Sequence, residues 1–150
     1  MTEFPFHREL RFGDCDPSAI AYFPSYLNIL NGVVEEVWTT IGFPWPELIK
    51  ARKIGTPTVH LTCDFSRPSV FGDLLRFKLR IGRVGRASLH LTHVVSGSDG
   101  MRWRAQQIVV ATSLVNHQAI PWPEDIRRAL LAHVQADDGA QAMELGTSRQ

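Results

Sequence analysis

The chain has 150 residues, of which 44% are hydrophobic and 21% charged, and its formal net charge is +1. This balance is typical of one soluble globular domain, and the near-neutral charge argues against binding to nucleic acid or to an anionic membrane. Two cysteines are too few for a disulfide framework, no stretch approaches the ~20 apolar residues of a membrane span, and no signal peptide begins the chain. We therefore expect a reduced, cytoplasmic protein.

The first half of the chain predicts a strand followed by one long helix. Imperfect apolar–polar alternation over residues 6–12 indicates the strand, which runs into a turn at Gly13-Asp14. Apolar residues at helical spacing predict a helix over residues 23–41, with Pro24 in its first turn and Gly42 as its stop. Residues 47–53 are expected to add a short helical turn.

The second half of the chain predicts strands and a last helix. Four segments rich in Val, Leu, Ile, Thr and Phe are separated by turn signals: residues 56–67, 74–84, 87–95 and 101–115. The turn at 97–100 indicates a hairpin, so these strands should be antiparallel. A short helix is expected over 123–134. We expect a single domain at 1–135, followed by a mobile tail at 136–150.

A lone amphipathic helix among strands predicts an α+β fold. The economical way to bury its apolar face is a single antiparallel sheet of about five strands that wraps around it. Such a sheet keeps exposed edges and one uncovered face. Pairing with a second copy of the chain would relieve both, so a homo-oligomer is expected.

The segment FGDCDPSAIAYFPSY, residues 12–26, concentrates the residues that can carry chemistry. It places Asp14 and Asp16 before a helix N-terminus, where unpaired N–H groups and about half a positive charge can hold a developing oxyanion. A carboxylate there can act as nucleophile or general base. An aspartate before a helix is more often a cap, and this fits Asp14. Asp16 fits it less well, because a Pro-Ser-Ala-Ile-Ala-Tyr loop separates it from the helix.

This segment resembles the signature of the 4-hydroxybenzoyl-CoA thioesterase family, of the type with an aspartate nucleophile. Gly55-Thr-Pro57, Phe71-Gly-Asp73 and Ser88 agree with weaker parts of the pattern. The resemblance implies the hot-dog fold and hydrolysis of an aromatic or other compact acyl-CoA, with no cofactor beyond the coenzyme A of the substrate. It also implies a homodimer or homotetramer with active sites at the subunit interfaces.

The resemblance assigns roles to individual residues. Asp16 matches the catalytic aspartate, which attacks the thioester or activates water, and Phe23 matches the residue whose backbone N–H binds the thioester oxygen. It implies substrate binding by Pro17, Ile20, Tyr22, Tyr26, Asn31, Thr58 and His60, the last from a neighbouring subunit, and CoA binding by Arg83 and Arg86.

Two positions depart from the family pattern. Ala19 stands where glycine is usual, and a left-handed backbone there is costlier for alanine. Asn31 stands where the 4-hydroxybenzoyl enzyme has an aspartate facing the ring hydroxyl, so the acyl group stays open.

Other interpretations are kept beside this one. Asn31, His60, Arg83 and Arg86 could be structural or solvent-exposed residues, and Asp64 is a weaker candidate acid. The alternatives to hydrolysis are a hot-dog hydratase or dehydratase, whose acid–base motif is missing, and a non-catalytic acyl-CoA-binding module. No metal site is predicted, because two histidines three residues apart on a strand, His90 and His93, face opposite sides.

Overall fold

The N-terminal strand and the strands of the second half of the chain form one antiparallel sheet in the computed structural model, which describes residues 3–135. Its strands are β1 (Glu3–Glu9), β3 (Thr58–Phe65), β4 (Leu74–Val84), β5 (Ser88–Gly97) and β6 (Gly100–Val110). Their order in the sheet is β1-β4-β5-β6-β3, and every pairing is antiparallel. The tail predicted at 136–150 lies outside the described residues.

Three α-helices, a short 3-10 helix at Phe12–Asp14 and a two-stranded ladder are the other regular elements of residues 3–135. The helices are α1 (Phe23–Thr40), α2 (Trp45–Lys50) and α3 (Glu124–Leu131). Two short strands, β2 (Ile54–Gly55) and β7 (Thr112–Ser113), pair with each other. No helix within residues 3–135 combines the length and apolar character needed to cross a membrane.

The core lies between α1 and one face of the sheet. Helical spacing turns one face of α1 inward, so Tyr26, Leu30, Val33, Val37 and Trp38 are buried. Alternate residues of the strands meet them, including Leu75, Phe77 and Leu79 of β4 and Leu91 and Val95 of β5. The predicted α+β arrangement, a central helix wrapped by a five-stranded antiparallel sheet, is confirmed.

Several predicted boundaries differ from the structure. β1 starts at Glu3 rather than residue 6, because Phe4 pairs with Leu79 and is buried. The predicted strand 56–67 is interrupted at Pro57, which has no N–H to donate. The predicted strand 101–115 breaks after Val110, since β7 leaves the large sheet to pair with β2.

Strand β3 forms an edge of the sheet and is poorly covered. Its pairing with β6 uses one side only, and the structure places no described strand on the other. Val59 is 60% exposed and Phe65 50% exposed, while Leu61 is also exposed. An edge that combines unpaired backbone groups with apolar side chains favours association with another strand.

Candidate active site

Residues 14–22 form a tight hairpin that carries Asp16. The Tyr22 N–H donates to the Asp14 carbonyl and the Asp16 N–H donates to the Ile20 carbonyl, each at 2.9 Å. The Ala19 N–H donates to the Asp16 carbonyl at 2.9 Å and closes the turn. Ala19 has φ +63°, so this alanine adopts the left-handed backbone that glycine would adopt at lower cost. The hairpin thus places Asp16 directly opposite Ile20.

The Asp16 carboxylate is stabilised as an anion by its own turn. Its Oδ1 accepts hydrogen bonds from the Ser18 hydroxyl and, at 2.8 Å, from the Ser18 N–H. These two bonds hold the pKa of Asp16 below its ordinary value. Asp14 acts differently, because its Oδ2 accepts a hydrogen bond from the Arg11 N–H at 2.9 Å and so stabilises the turn after β1.

The N-terminus of α1 offers a free amide beside this hairpin. Tyr22 precedes the helix without a side-chain cap, and Pro24 has no N–H to offer. The Ser25 N–H donates to the Tyr22 carbonyl at 2.8 Å, whereas the Phe23 N–H has no acceptor among residues 3–135. Because Asp16 takes its hydrogen bonds from Ser18, the helix amide does not compete for that carboxylate. The arrangement can therefore offer an anion and an oxyanion donor at the same time.

A cavity of about 290 Å³ opens between the start of α1 and the end of β3. Its lining includes Ile20, Phe23 and Tyr26 on one side and Phe65 on the other. Behind this wall Trp103 is fully buried, with its ring 5.2 Å from that of Tyr26 and 5.5 Å from that of Phe65. Flat aromatic walls of this kind suit a flat acyl group.

The other proposed substrate-binding residues lie outside this cavity. Pro17 and Tyr22 are exposed in the hairpin, and Asn31 is exposed on α1. Thr58 pairs with the core residue Val109, whereas His60 pairs with Ile108 on the outer face of the sheet. Residues paired across strands share a face, so the bulge between Thr58 and His60 turns these two side chains to opposite faces.

The two arginines assigned to CoA lie far from Asp16 of the same chain. β4 runs for 11 residues from Leu74, near the hairpin, to Val84. At about 3.3 Å per residue it spans roughly 33 Å, and Arg83 and Arg86 lie at its far end. There Arg86 lines a second cavity, of about 400 Å³, together with Trp122 and Arg127.

Several contributors to the site were missed by the sequence analysis, including the cavity wall formed by residues 66–68. Ser18 had a recognisable signal, since Asp-Pro-Ser favours a side-chain-to-backbone turn. Phe65 read only as one more strand residue. Arg102 gave no signal, because a strand arginine is ordinarily exposed, whereas here it is 6% exposed. The predicted opposition of His90 and His93 is confirmed by their pairing with Ile108 and Ala105, on opposite faces. Within residues 3–135 no three His, Cys, Asp or Glu side chains cluster as metal ligands do.

Known proteins share both the sequence pattern and the fold of this chain. The model of the thioesterase-like superfamily matches residues 10–130. A 1,4-dihydroxy-2-naphthoyl-CoA hydrolase of Synechococcus elongatus is 27% identical over 128 residues, which cover 85% of this chain and 94% of that one. The solved 4-hydroxybenzoyl-CoA thioesterase of Pseudomonas sp. strain CBS-3 has a TM-score of 0.80 and 27% identity, covering 86% of this chain and 99% of its own.

One further solved structure bears on the site. It is a mutant 4-hydroxybenzoyl-CoA thioesterase, with one aspartate replaced by asparagine, in complex with 4-hydroxybenzoyl-CoA. It has a TM-score of 0.80 and 26% identity, and the match covers 87% of this chain and 99% of that one. The family match spans most of this chain, and the five-stranded sheet with its central helix agrees with the fold of these structures. The chain therefore belongs to the thioesterase-like superfamily and is an acyl-CoA thioesterase with the hot-dog fold.

Proposed function

We propose that this enzyme hydrolyses an aromatic or similarly compact acyl-CoA to the free acid and coenzyme A, with Asp16 as nucleophile or general base. The proposal is supported by an ionised Asp16 in the hairpin opposite Ile20, a free Phe23 N–H at the start of α1, and an aromatic-walled cavity lined by Ile20 and Phe23. Relatives named for 1,4-dihydroxy-2-naphthoyl-CoA and 4-hydroxybenzoyl-CoA support an aromatic acyl group.

The chemistry follows from these two groups. In the covalent route an Asp16 oxygen bonds to the thioester carbonyl carbon. The carbonyl oxygen becomes an oxyanion, which accepts a hydrogen bond from the Phe23 N–H. Collapse breaks the carbon–sulfur bond, releases the CoA thiolate and leaves a mixed anhydride. Water then cleaves the anhydride and regenerates the carboxylate. In the alternative route Asp16 takes a proton from the water that attacks the same carbon. Both routes use only protein groups, the substrate and water.

The residues proposed to meet the ring of the acyl group carry no charge. Asn31 is neutral and exposed, so it can donate or accept a hydrogen bond but cannot pair as an anion. Tyr26 is buried, which raises the pKa of its hydroxyl while hydrogen bonds with Ser69 oppose that rise. Tyr26 therefore presents a neutral ring to the substrate. A substituted aromatic acyl group fits this lining better than a charged one.

Assembly is the second half of the proposal. We propose that β3 pairs with β3 of another copy, since this edge is unpaired and carries exposed Val59, Leu61 and Phe65. Thr58 would then reach the neighbouring active site from the inner face of the sheet. The sequence analysis gave this role to His60, which lies on the outer face. Arg83 and Arg86 are too far from Asp16 of their own chain, so they would serve the CoA of another subunit. The unpaired Cys15 and Cys63 fit the proposed cytoplasmic location.

The test compares Asp16→Asn with a matched control, Asp14→Asn, in the same hairpin. Thiol release is measured on a panel of acyl-CoAs that includes 4-hydroxybenzoyl, 1,4-dihydroxy-2-naphthoyl, acetyl and long aliphatic groups. We expect the highest kcat/KM on an aromatic member, and a loss of at least about 1000-fold in kcat for Asp16→Asn. Asp14→Asn changes only a turn contact and should stay within a few-fold of the wild type.

Three results would contradict the proposal. Near-normal turnover by Asp16→Asn removes the catalytic role of that carboxylate. Addition of water to the acyl chain without thiol release identifies a hydratase. Tight binding of acyl-CoA without turnover identifies a binding module.

A further inference from the structure

We propose that Arg102 is a positioning residue of the active site. From its buried place on β6 it would hold the segment formed by residues 66–73, and through that segment the hairpin that carries Asp16. The inference rests on the proposed function of the Asp16 site. It adds a residue that touches no substrate and yet sets the geometry of the groups that do.

The guanidinium of Arg102 makes an unusually complete set of contacts with this segment. Its Nη1 donates to Asp73 Oδ2 at 2.7 Å, to the Pro68 carbonyl at 3.1 Å and to Ser69 Oγ at 3.2 Å. Its Nε and Nη2 lie 2.9 and 2.8 Å from Asp99 Oδ1 in the β5–β6 turn. The planar guanidinium thus contacts three residues of the 66–73 segment and one residue, Asp99, of the neighbouring turn.

The backbone of Arg102 holds the same segment. Its carbonyl accepts the Ser66 N–H at 2.9 Å and the Arg67 N–H at 3.1 Å. Ser66, Arg67 and Pro68 form one wall of the 290 Å³ cavity. Arg102 therefore fixes that wall by both its main chain and its side chain.

The segment in turn holds the catalytic hairpin. The Ala21 N–H donates to the Ser69 carbonyl at 2.8 Å, and the Phe71 N–H donates to the Ala19 carbonyl at 3.2 Å. Ile20, the residue opposite Asp16, forms an isolated β-bridge with Val70. Asp73 Oδ2 accepts a hydrogen bond from the Val70 N–H at 2.9 Å and another from the Arg102 guanidinium. One carboxylate oxygen therefore connects Arg102 to the Ile20–Val70 bridge; we call the contacts of Arg102 with residues 66–73 the Arg102 clamp.

The cost of burying the Arg102 cation indicates that its role is to position the 66–73 segment rather than to stabilise the fold. The Arg102 side chain is 7% exposed and that of Asp73 is 24% exposed. A buried ion pair often gains little net stability over apolar residues of the same volume, because both charges must leave water. Gly97 supports the arrangement, since a Cβ there would lie 2.5 to 2.7 Å from guanidinium atoms of Arg102. The side chain therefore occupies a place that only glycine at 97 leaves open.

The experiment perturbs the clamp in two independent ways and reads two signals. Arg102→Lys replaces the planar guanidinium by a single ammonium group. Gly97→Ala keeps the guanidinium and displaces it, because the added Cβ takes its place. Arg52→Lys is the matched control, because Arg52 makes a comparable two-point ion pair with Asp125 and lies in no proposed site. Steady-state kinetics give kcat and KM on the best acyl-CoA, and hydrogen exchange gives the protection of the Ala21 and Phe71 amides.

We expect Arg102→Lys and Gly97→Ala to lower kcat by roughly 10- to 100-fold, the effect of a displacement of about 1 Å at a reacting group. KM should change less than kcat, and both amides should exchange faster than in the wild type. Arg102→Met, which loses every polar contact, should be more impaired than Arg102→Lys. Arg52→Lys should leave kcat and both amides unchanged even if its melting temperature falls.

The proposal is wrong if folded Arg102→Lys and Arg102→Met retain wild-type kcat, or if the two amides keep their protection. It is also wrong if kcat falls only in proportion to the fraction unfolded and recovers fully on cooling. Failure of the proposed function looks different. In that case the wild type releases no thiol from any acyl-CoA, while the exchange of Ala21 and Phe71 still reports whether Arg102 holds the hairpin.

Discussion

Acidification from about pH 8 to pH 5 should destabilise this protein through one buried histidine. His93 is 1% exposed, and its Nε2 donates to Gln107 Oε1 at 2.8 Å. The amide of Gln107 then donates to Thr58 Oγ1, also at 2.8 Å. Burial lowers the pKa of His93 from 6.5 to about 4, although the bond to Gln107 opposes the shift.

The sign and size of the change in unfolding free energy follow from proton linkage. Below pH 6.5 an unfolded His93 binds a proton, whereas the folded one stays neutral until about pH 4, so acid favours the unfolded state. The contribution is complete above pH 6.5 and is lost as the pH falls toward 4. A pKa lowered from 6.5 to about 4 corresponds to about 3 kcal/mol of stability in full, because each pKa unit is worth about 1.4 kcal/mol. About 2 kcal/mol of this should already be lost at pH 5.

The assay is urea unfolding at fixed protein concentration across this range, because association would otherwise add its own dependence. Wild type is compared with His93→Gln, which cannot titrate, and with His7→Gln, which removes an exposed histidine. The carboxylates with lowered pKa values, Asp16 and Asp73 among them, begin to lose their contributions below about pH 5. Both proteins share these groups, so the comparison with His93→Gln removes their effect. Equal pH slopes for wild type and His93→Gln between pH 6.5 and 4 would refute the reasoning.

Three further predictions concern the site and the assembly. Phe23→Pro removes the proposed oxyanion donor at a helix position that accepts proline, so kcat should fall about 100- to 1000-fold. Phe23→Leu keeps the N–H and loses only the ring at the cavity wall, so its kcat should fall far less. Ala19→Gly relieves a left-handed alanine (φ +63°) and should raise the unfolding free energy by about 0.5 to 1 kcal/mol in thermal or urea melts. Leu61→Glu places a charge on the exposed edge of β3, so sedimentation should shift toward the monomer and activity should be lost. The control Thr62→Glu, on the outer face, should change neither the oligomeric state nor the activity. An unchanged oligomer for Leu61→Glu would argue against edge pairing.

Periodicity and turn chemistry were enough to predict most of the fold. The helix predicted at 23–41 is found at Phe23–Thr40, and β4 has the predicted bounds Leu74–Val84. Gly42 ends α1 with φ +99°, a conformation that glycine adopts without strain. Local signals of this kind are strong because they depend on a few neighbouring residues.

The site was less predictable because its parts meet only through long-range pairing. The hairpin of Asp16 could be anticipated from Asp-Pro-Ser and from the anomaly at Ala19. The burial of Arg102 could not, since it depends on the 66–73 segment folding over the end of β6. Likewise, the opposite orientation of Thr58 and His60 arises from one bulge that alternation alone does not reveal.

The free amide at Phe23 has a consequence for how this enzyme can be probed. The side chain of Phe23 is 59% exposed, and the proposed contact belongs to the main chain. Alanine scanning would not detect this contact, because alanine keeps the backbone N–H. A comparison of side chains among relatives would not detect it either. Replacing the amide by an ester, through semisynthesis or hydroxy-acid incorporation, would delete a single hydrogen-bond donor and leave every side chain of the enzyme intact.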